Sequence, residues 1–394
     1  MSGESAIVGA PLDTEIGPNS GAAYVFRRDP HAAGAWEFIA KLTASDGAAD
    51  DQFGKAVFIS GDMAIVGAPN GADSGAAYIF LRDEGGSNLW GQAAKLVAVD
   101  GEIDDQFGIS VTVSGDAAVV GAPGDDDYGL DSGSAYVFRR DEGGADAWGQ
   151  AAKVLPSDGQ IYASFGRAVS VTGDTAIIGA YQDYVNGDYS GSTYIFQRNH
   201  GGADAWGQIA KIVPADIAPH DQFGFSVSIG DDIAVIGAPS SDPMGNDSGS
   251  AYLFQRNQGG PDAWGLVAKL VPAEGSAHAA FGYSVSISGD SVLAGAWRDD
   301  DLYPNAGSAY IFRQDQGGPS AWGQVAKVTP IEISADANFG TSVAISGDDA
   351  IVGAPRINTL GEDSGAAYVF TISDAFFADG FETGDTSAWS VTVP

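Results

Sequence analysis

The sequence predicts an all-β chain folded as a seven-bladed β-propeller of four-stranded antiparallel blades, with the N-terminal strand of the first blade missing. Three observations carry that expectation. One stretch of about 58 residues recurs seven times; each recurrence from Phe53 onward holds four strand-like runs separated by Gly, Asp and Ser; and no helical periodicity interrupts them. A linear β-solenoid is the competing architecture, but its coils are usually shorter than this unit and need caps, and no distinct cap is seen.

The register of the repeat is read from two markers. The Gly of a Gly-Ala-Pro element stands at Gly9, Gly67, Gly121, Gly179, Gly237, Gly295 and Gly353. An aromatic follows at Tyr24, Tyr78, Tyr136, Tyr194, Tyr252, Tyr310 and Tyr368, so a single four-residue deletion lies between Gly67 and Tyr78. Gly-Ala-Pro is broken twice, to Gly179-Ala180-Tyr181 and to Gly295-Ala296-Trp297.

The elements follow in order in the fifth copy. A first run, 223–229, alternates Phe223, Phe225, Val227 and Ile229 with Gly and Ser, a period of two with a small-residue face that suits a crowded inner strand. The second, 233–236, and third, 251–254, are apolar on both faces and read as buried between sheets. The fourth, 264–271, mixes Trp264, Val267 and Leu270 with Lys269 and reads as an outer edge, where a lysine discourages edge pairing. We call these strands a to d. The recurrent Trp36, Trp90, Trp148, Trp206, Trp264 and Trp322, and the Phe of each Phe-Gly pair from Phe53 to Phe339, are expected to pack between blades, because an identical placement in every copy serves an identical contact.

The repeats cover residues 2–370. The first copy starts at Ser2-Gly3-Glu4, which matches the turn after strand a in later copies, and residues 371–394 form a tail. Within that tail 387–394 echoes 320–327 nine residues late, so it either completes the last blade or stands apart.

Composition narrows the partners. With 18 Lys plus Arg against 52 Asp plus Glu, a net charge of -34, the phosphate-neutralising contacts that dominate nucleic-acid affinity are missing, and nucleic acid is excluded as a partner. No apolar run reaches the length of a membrane span, so no membrane insertion is expected. Cysteine is absent, which removes disulfides, thiolate metal sites and a thiol nucleophile. A monomer is expected, and no signal segment precedes the first repeat in this chain.

The Phe-Gly and Gly-Ala-Pro elements, with Phe-Gly and the following Gly at one spacing in six copies, resemble FG-GAP repeat proteins, whose best-known members form the seven-bladed heads of integrin α-subunits. The resemblance implies an extracellular recognition propeller for protein ligands, often holding calcium in blade loops. In integrin-like copies that calcium loop lies between strands a and b. Here the same connection is a tight turn such as Ser288-Gly289-Asp290, with too few oxygens for calcium's six to eight ligands, so the chain looks more like a bacterial, short-turn branch of the family. The tail around Phe377 to Ser390 is similar to C-terminal tails of exported bacterial proteins, which points to a secreted or cell-surface location.

In a four-stranded blade the b–c and d–a loops leave on one face, the a–b and c–d loops on the other. The second pair is nearly constant between copies and the first varies, and variable loops on a rigid scaffold are where binding is built. Within them Asp125, Asp126, Asp127 and Asp131 in the third copy, and Asp299, Asp300 and Asp301 in the sixth, are the candidate metal ligands, with calcium the candidate cofactor; the bland reading is a solvated acidic rim. Tyr181, Tyr184 and Tyr189 in the fourth copy and Trp297 and Tyr303 in the sixth are the candidate ligand-binding aromatics, with Tyr162 nearby. Each could stack on a sugar ring or anchor a protein loop, or pack loop on loop.

No catalytic motif is present: the four histidines stand in separate copies, and neither a nucleophile elbow nor a phosphate loop occurs. The expected function is an extracellular or cell-surface binding or adhesion module that recognises a protein or glycan. The alternatives are a carbohydrate-active hydrolase or lyase on the same scaffold, and a purely structural repeat region of a larger surface protein.

Overall fold

The computed structural model describes every residue except 30, 32–33, 72–73, 87–88, 317, 331, 359–363, 373–390 and 393–394. The fold is an all-β, seven-bladed β-propeller, and among the described residues no helix forms. Residues 1–28 and 37–224 make one compact unit and residues 29–36 and 225–394 a second.

Each blade is an antiparallel meander in the order a-b-c-d. In the fifth blade the strands are Ser226–Gly230, Ile233–Ala238, Ser250–Arg256 and Trp264–Leu270. Strands b and c are buried on both faces, as their unbroken apolar runs require. Between c and d one extra residue bulges out, so that Ile311 opposes Ala326 but Phe312 opposes Gln324. The first blade has three strands, Ser5–Ala10, Ala22–Arg28 and Trp36–Leu42. The seventh has three full strands, and the two-residue Val391–Thr392 pairs with its strand c, Thr392 opposite Tyr368. The tail's Trp389 lies outside the described residues.

Strand a differs from the sequence expectation. In the fifth blade it starts at Ser226, three residues after Phe223. In the fourth and sixth blades it includes the Phe, but the ladder breaks there: Phe281 opposes Ala296, and pairing resumes with Ser284 opposite Gly295. The physical reason is the Gly of the Phe-Gly pair, which sits at φ 84° at Gly282 and turns the chain before the ladder begins. The Phe instead makes a parallel bridge to the b–c loop of the preceding copy, as Phe165 does with Gly133.

Side chains of strand a tie neighbouring blades inside each unit. Ser110 Oγ donates to Gly166 O at 2.8 Å and Ser284 Oγ donates to Gly340 O at 2.8 Å. Ser286 Oγ accepts from Ile345 N at 3.1 Å. The alternating small residues are thus both spacers and interblade hydrogen-bonding groups. Alongside them, a Cβ placed on Gly121 would stand 1.9 Å from Gly166 O, so the Gly of Gly-Ala-Pro in one blade abuts the Gly of Phe-Gly in the next, backbone on backbone. The Gly of Phe-Gly is required separately: Gly166 is at φ 91°, and a Cβ there would stand 2.2 Å from Ser134 O.

The apolar cores lie between consecutive blades. One joins Val119 and Val137 of the third blade to Phe165, Ile178 and Tyr194 of the fourth, with Trp206 packed into it. Trp90, Trp148 and Trp322 pack the same way against the cores shared with their preceding blades. Each Phe of a Phe-Gly pair is buried, and Phe53, Phe107, Phe165 and Phe339 meet the strand-c aromatics of their own blades edge-on, as Phe107 does with Tyr136 and Phe138 at 5.4 and 5.8 Å.

Candidate functional site: the variable loop face

The b–c loop of each copy but the last is bonded along its backbone to the d–a segment that follows. Tyr162 N donates to Leu130 O at 2.7 Å, His220 N to Asp188 O at 2.7 Å and Asp336 N to Pro304 O at 2.8 Å. Both loops turn through residues at positive φ, among them Asn19, Asp131, Tyr189, Asp247 and Asn305 in the b–c loops. Asn and Asp tolerate that conformation, whereas Tyr189, at φ 55°, is a bulky exception.

The aspartates of these loops converge on lysines. Asp125 is buried; its Oδ2 accepts from the Tyr136 hydroxyl at 2.7 Å and pairs with Lys153 Nζ at 2.9 Å. The same ammonium meets Asp127 at 2.5 Å and Asp100, from the d–a loop, at 2.8 Å. In the sixth blade Asp299 accepts from Tyr310 at 2.6 Å and pairs with Lys327 at 2.9 Å, and Asp301 pairs with that lysine too. Asp183, Tyr194 and Lys211 repeat the arrangement in the fourth blade, with Asp158 supplying the second carboxylate. Each ammonium also lies over its Tyr ring, at 5.3 Å for Lys153 and 5.0 Å for Lys211.

These lysines are the strand-d lysines. Their sequence reading as edge protection is corrected: they point into the loop layer as counter-ions for carboxylates that burial would otherwise leave uncompensated. The remaining candidate ligands cap backbone. Asp126 Oδ1 accepts from Asp131 N at 2.7 Å, and Asp300 Oδ1 accepts from Asn305 N at 2.6 Å. Among the described residues no three acidic or His side chains come together with the openness a metal ion needs. The set had a signal in the sequence, since Asp precedes the Tyr by 11 residues and Lys follows it by 17 in the first, third, fourth and sixth copies.

Lys95 holds the Asp46 carboxyl below its usual range, helped by the Tyr78 hydroxyl. Burial works against the ionised form of Asp158, yet the hydrogen bonds from Lys211 and Tyr194 outweigh it and also hold that carboxyl low. Asp105, 5% exposed, goes the other way: burial, with Asp125 adding repulsion, pushes it up to about 6 even though it accepts a bond from Glu102 N at 2.6 Å. The depressed groups contribute stability that is present above the unfolded carboxylate value of about 4 and lost as pH falls toward their folded values. Asp105, with its folded value raised, contributes stability that is present below about 4 and lost as pH rises through about 6. Asp105→Asn is therefore expected to raise the melting temperature at pH 8, to keep about half of that gain at pH 5 and to lose most of it at pH 4. An equal gain at all three pH values would show that Asp105 is not held neutral by the fold.

The aromatic candidates separate into two groups, one in each unit. In the fourth copy Tyr184 and Tyr189 rings lie 5.4 Å apart, and Tyr189 stacks on His220 at 5.7 Å. The equivalent positions of Tyr189 and His220 are a hydrogen-bonded Asn19–Asp50 pair in the first copy and Asn305–Asp336 in the sixth, each at 2.8 Å. Tyr189 is thus a loop-to-loop lock in aromatic form, and its hydrogen bond pushes the Tyr184 phenol up to about 12. Tyr181 is half-buried directly after strand b, and Tyr162 is 39% exposed. In the sixth copy Trp297 contacts Tyr283 at 5.5 Å, Tyr283 contacts Phe225 at 4.8 Å, and the Arg298 guanidinium lies over the Trp297 ring at 4.3 Å. Tyr303 is 52% exposed at the loop tip. The sequence reads Phe225 as a strand-a residue and His220 as one of four scattered histidines, and it does not single out Tyr283 or Arg298, because the role of each depends on which rings from other segments it meets.

Six segments, 36–80, 90–138, 148–196, 206–254, 264–312 and 322–370, match the family model described as FG-GAP repeat. The chain belongs to the FG-GAP repeat family. The matched unit begins at the strand-d Trp of one blade and ends at the strand-c Phe of the next, so the FG-GAP repeat is offset from the blade and contains the d–a loop whole. No curated protein matches the chain. Among solved structures it is similar to a Bacteroides fragilis NCTC 9343 protein provisionally named a 6-phosphogluconolactonase, with a TM-score of 0.60 and 12% identity over 95% of this chain and 92% of that one. A Bacteroides uniformis ATCC 8492 protein with the same provisional name matches with a TM-score of 0.58 and 12% identity over 95% and 93% of the two chains. At that identity the likeness is one of fold.

Proposed function

We propose that this FG-GAP propeller is an extracellular or cell-surface binding module that recognises a protein or glycan ligand through the b–c and d–a loops. One observation carries the reading. The repeated residues are consumed by packing, the Phe and Trp in interblade cores and the Asp-Tyr-Lys sets in the loop layer, which leaves the copy-specific aromatics to tell one partner from another. Trp297 and Tyr181 are the clearest of these, since the same position is Pro in the other five copies. Calcium at Asp125 to Asp127 or Asp299 to Asp301 would have to displace a lysine ammonium, so ligand binding in this proposal does not depend on it.

The test is a glycan and protein array screen, with and without calcium, followed by titration of the hits. Trp297→Pro and Tyr181→Pro keep the fold, because the repeat already accepts Pro there, and at least one of them is expected to weaken binding by about tenfold or more, the scale of losing a buried aromatic anchor. Binding that survives both, and is weakened instead by charge changes in the hairpin at Asp141 to Asp146, would place the partner on the opposite face. The alternative of a carbohydrate-active enzyme is supported by the provisional names of the two structural relatives. Release of product from a bound glycan would favour it over the binding module.

A further inference from the structure

Basic residues are scarce in this chain, 18 against 52 acidic ones, and most are spent on carboxylates. Lys41, Lys95, Lys153, Lys211 and Lys327 all sit in Asp-Tyr-Lys sets. Arg139, Arg198 and Arg256 pair with hairpin or turn aspartates. Arg298 is different. It is exposed, its guanidinium lies 4.3 Å over the Trp297 ring, and among the described residues it makes no ion pair or side-chain hydrogen bond. Its acidic neighbours are engaged elsewhere, Asp299 by Tyr310 and Lys327 and Asp300 by Asn305 N.

A guanidinium stacked on an indole is held flat, with its in-plane N–H donors left pointing outward, so it is pre-organised for a planar, two-oxygen acceptor. Beside it Trp297, Tyr283 and Phe225 form a half-buried ledge of three rings. The site thus offers one fixed positive group and an adjoining apolar surface. The pairing of the two is specific to this copy, where Trp297 replaces Pro; Arg298 stands at the position of Gln182 in the fourth copy, and the seventh copy carries Arg356 there but behind Pro355, with no indole beneath it. The field of a chain of charge -34 opposes multiply charged anions, which disfavours phosphate and sulfate esters and favours a single carboxylate on an otherwise neutral ligand.

We propose that Arg298, laid on Trp297, takes the carboxylate of a uronic-acid residue in a glycan, the C–H face of the sugar ring resting on the Trp297, Tyr283 and Phe225 ledge. This rests on the binding-module reading and names its ligand class. The experiment is calorimetric titration of the full chain with trisaccharides containing galacturonate, glucuronate or mannuronate, and with the methyl ester of each. At least one free acid binds, and its ester, which keeps the sugar ring but replaces the charged carboxylate by a neutral and slightly larger group, binds about tenfold or more weakly, the scale of a lost charge-assisted pair. Arg298→Gln, which the repeat accepts in the fourth copy, produces the same loss, while Arg140→Gln in a hairpin leaves binding unchanged.

The proposal is overturned if no free acid binds, if acid and ester bind alike, or if Arg298→Gln binds as well as the parent. Capture of a peptide carboxylate through Arg298, with no uronate bound, would overturn the glycan assignment. None of these results decides the binding-module reading, which is judged separately by the array hits and their response to Trp297→Pro and Tyr181→Pro.

Discussion

Gly121→Ala is expected to destabilise the protein by about 3 kcal/mol or more, at the severe end of what overpacking does. The added Cβ would stand 1.9 Å from Gly166 O and 2.3 Å from Ser110 Oγ. The serine hydroxyl can rotate away. The carbonyl cannot, because Gly166 belongs to the backbone of the adjoining blade, at the start of its strand a, so relief requires the two blades to separate. Gly115→Ala is the matched control: Gly115 has φ 59° in an open turn with nothing within 4 Å of a new Cβ, and its loss is expected to cost only about 1–2 kcal/mol of left-handed strain. Urea unfolding midpoints of the two variants compare them directly. Equal, small effects would mean that neighbouring blades do not meet backbone to backbone at the two motifs.

Phe165→Ala is the second large effect, expected at about 3–5 kcal/mol. Phe165 is fully buried, edge-on to Tyr194 at 5.5 Å and Phe196 at 6.0 Å, in the core shared by the third and fourth blades. Its surroundings are β-strands locked in ladders on both sides, so the cavity cannot collapse and the cost stays near the top of that range. An unchanged melting temperature would show that the ring is not part of that core.

Much of this architecture is legible in the chain because the repeat states it seven times. Strands b and c read as doubly buried from their apolar runs, and that is how they are found. Phe-Gly reads as the beginning of strand a, yet Phe223 precedes the strand, because a glycine at positive φ and a bridge to the previous copy's loop turn the chain there. Local alternation cannot show a bridge to a residue some thirty positions back. The lysine of strand d reads as an edge residue for the same reason. Lys153 finds Asp100, Asp125 and Asp127 only when two loops, separated in sequence by a complete strand a and strand b, are laid side by side.

The candidate aromatics show the same division. Tyr189 and Trp297 look alike in sequence, each an aromatic that breaks a pattern. The structure gives Tyr189 a packing duty, stacked on His220 where other copies hold an Asn–Asp hydrogen bond, and leaves Trp297 as a platform under an arginine that pairs with no carboxylate among the described residues. The number of blades, their strand order and the aromatic core followed from the sequence by itself, since a periodic pattern of apolar and small residues reports burial locally and repeats the report in every copy. The destination of each charge and the freedom of each loop aromatic were decided by tertiary structure alone, because both depend on which side chains from distant segments come within about 3 to 6 Å, and on which partner burial makes indispensable.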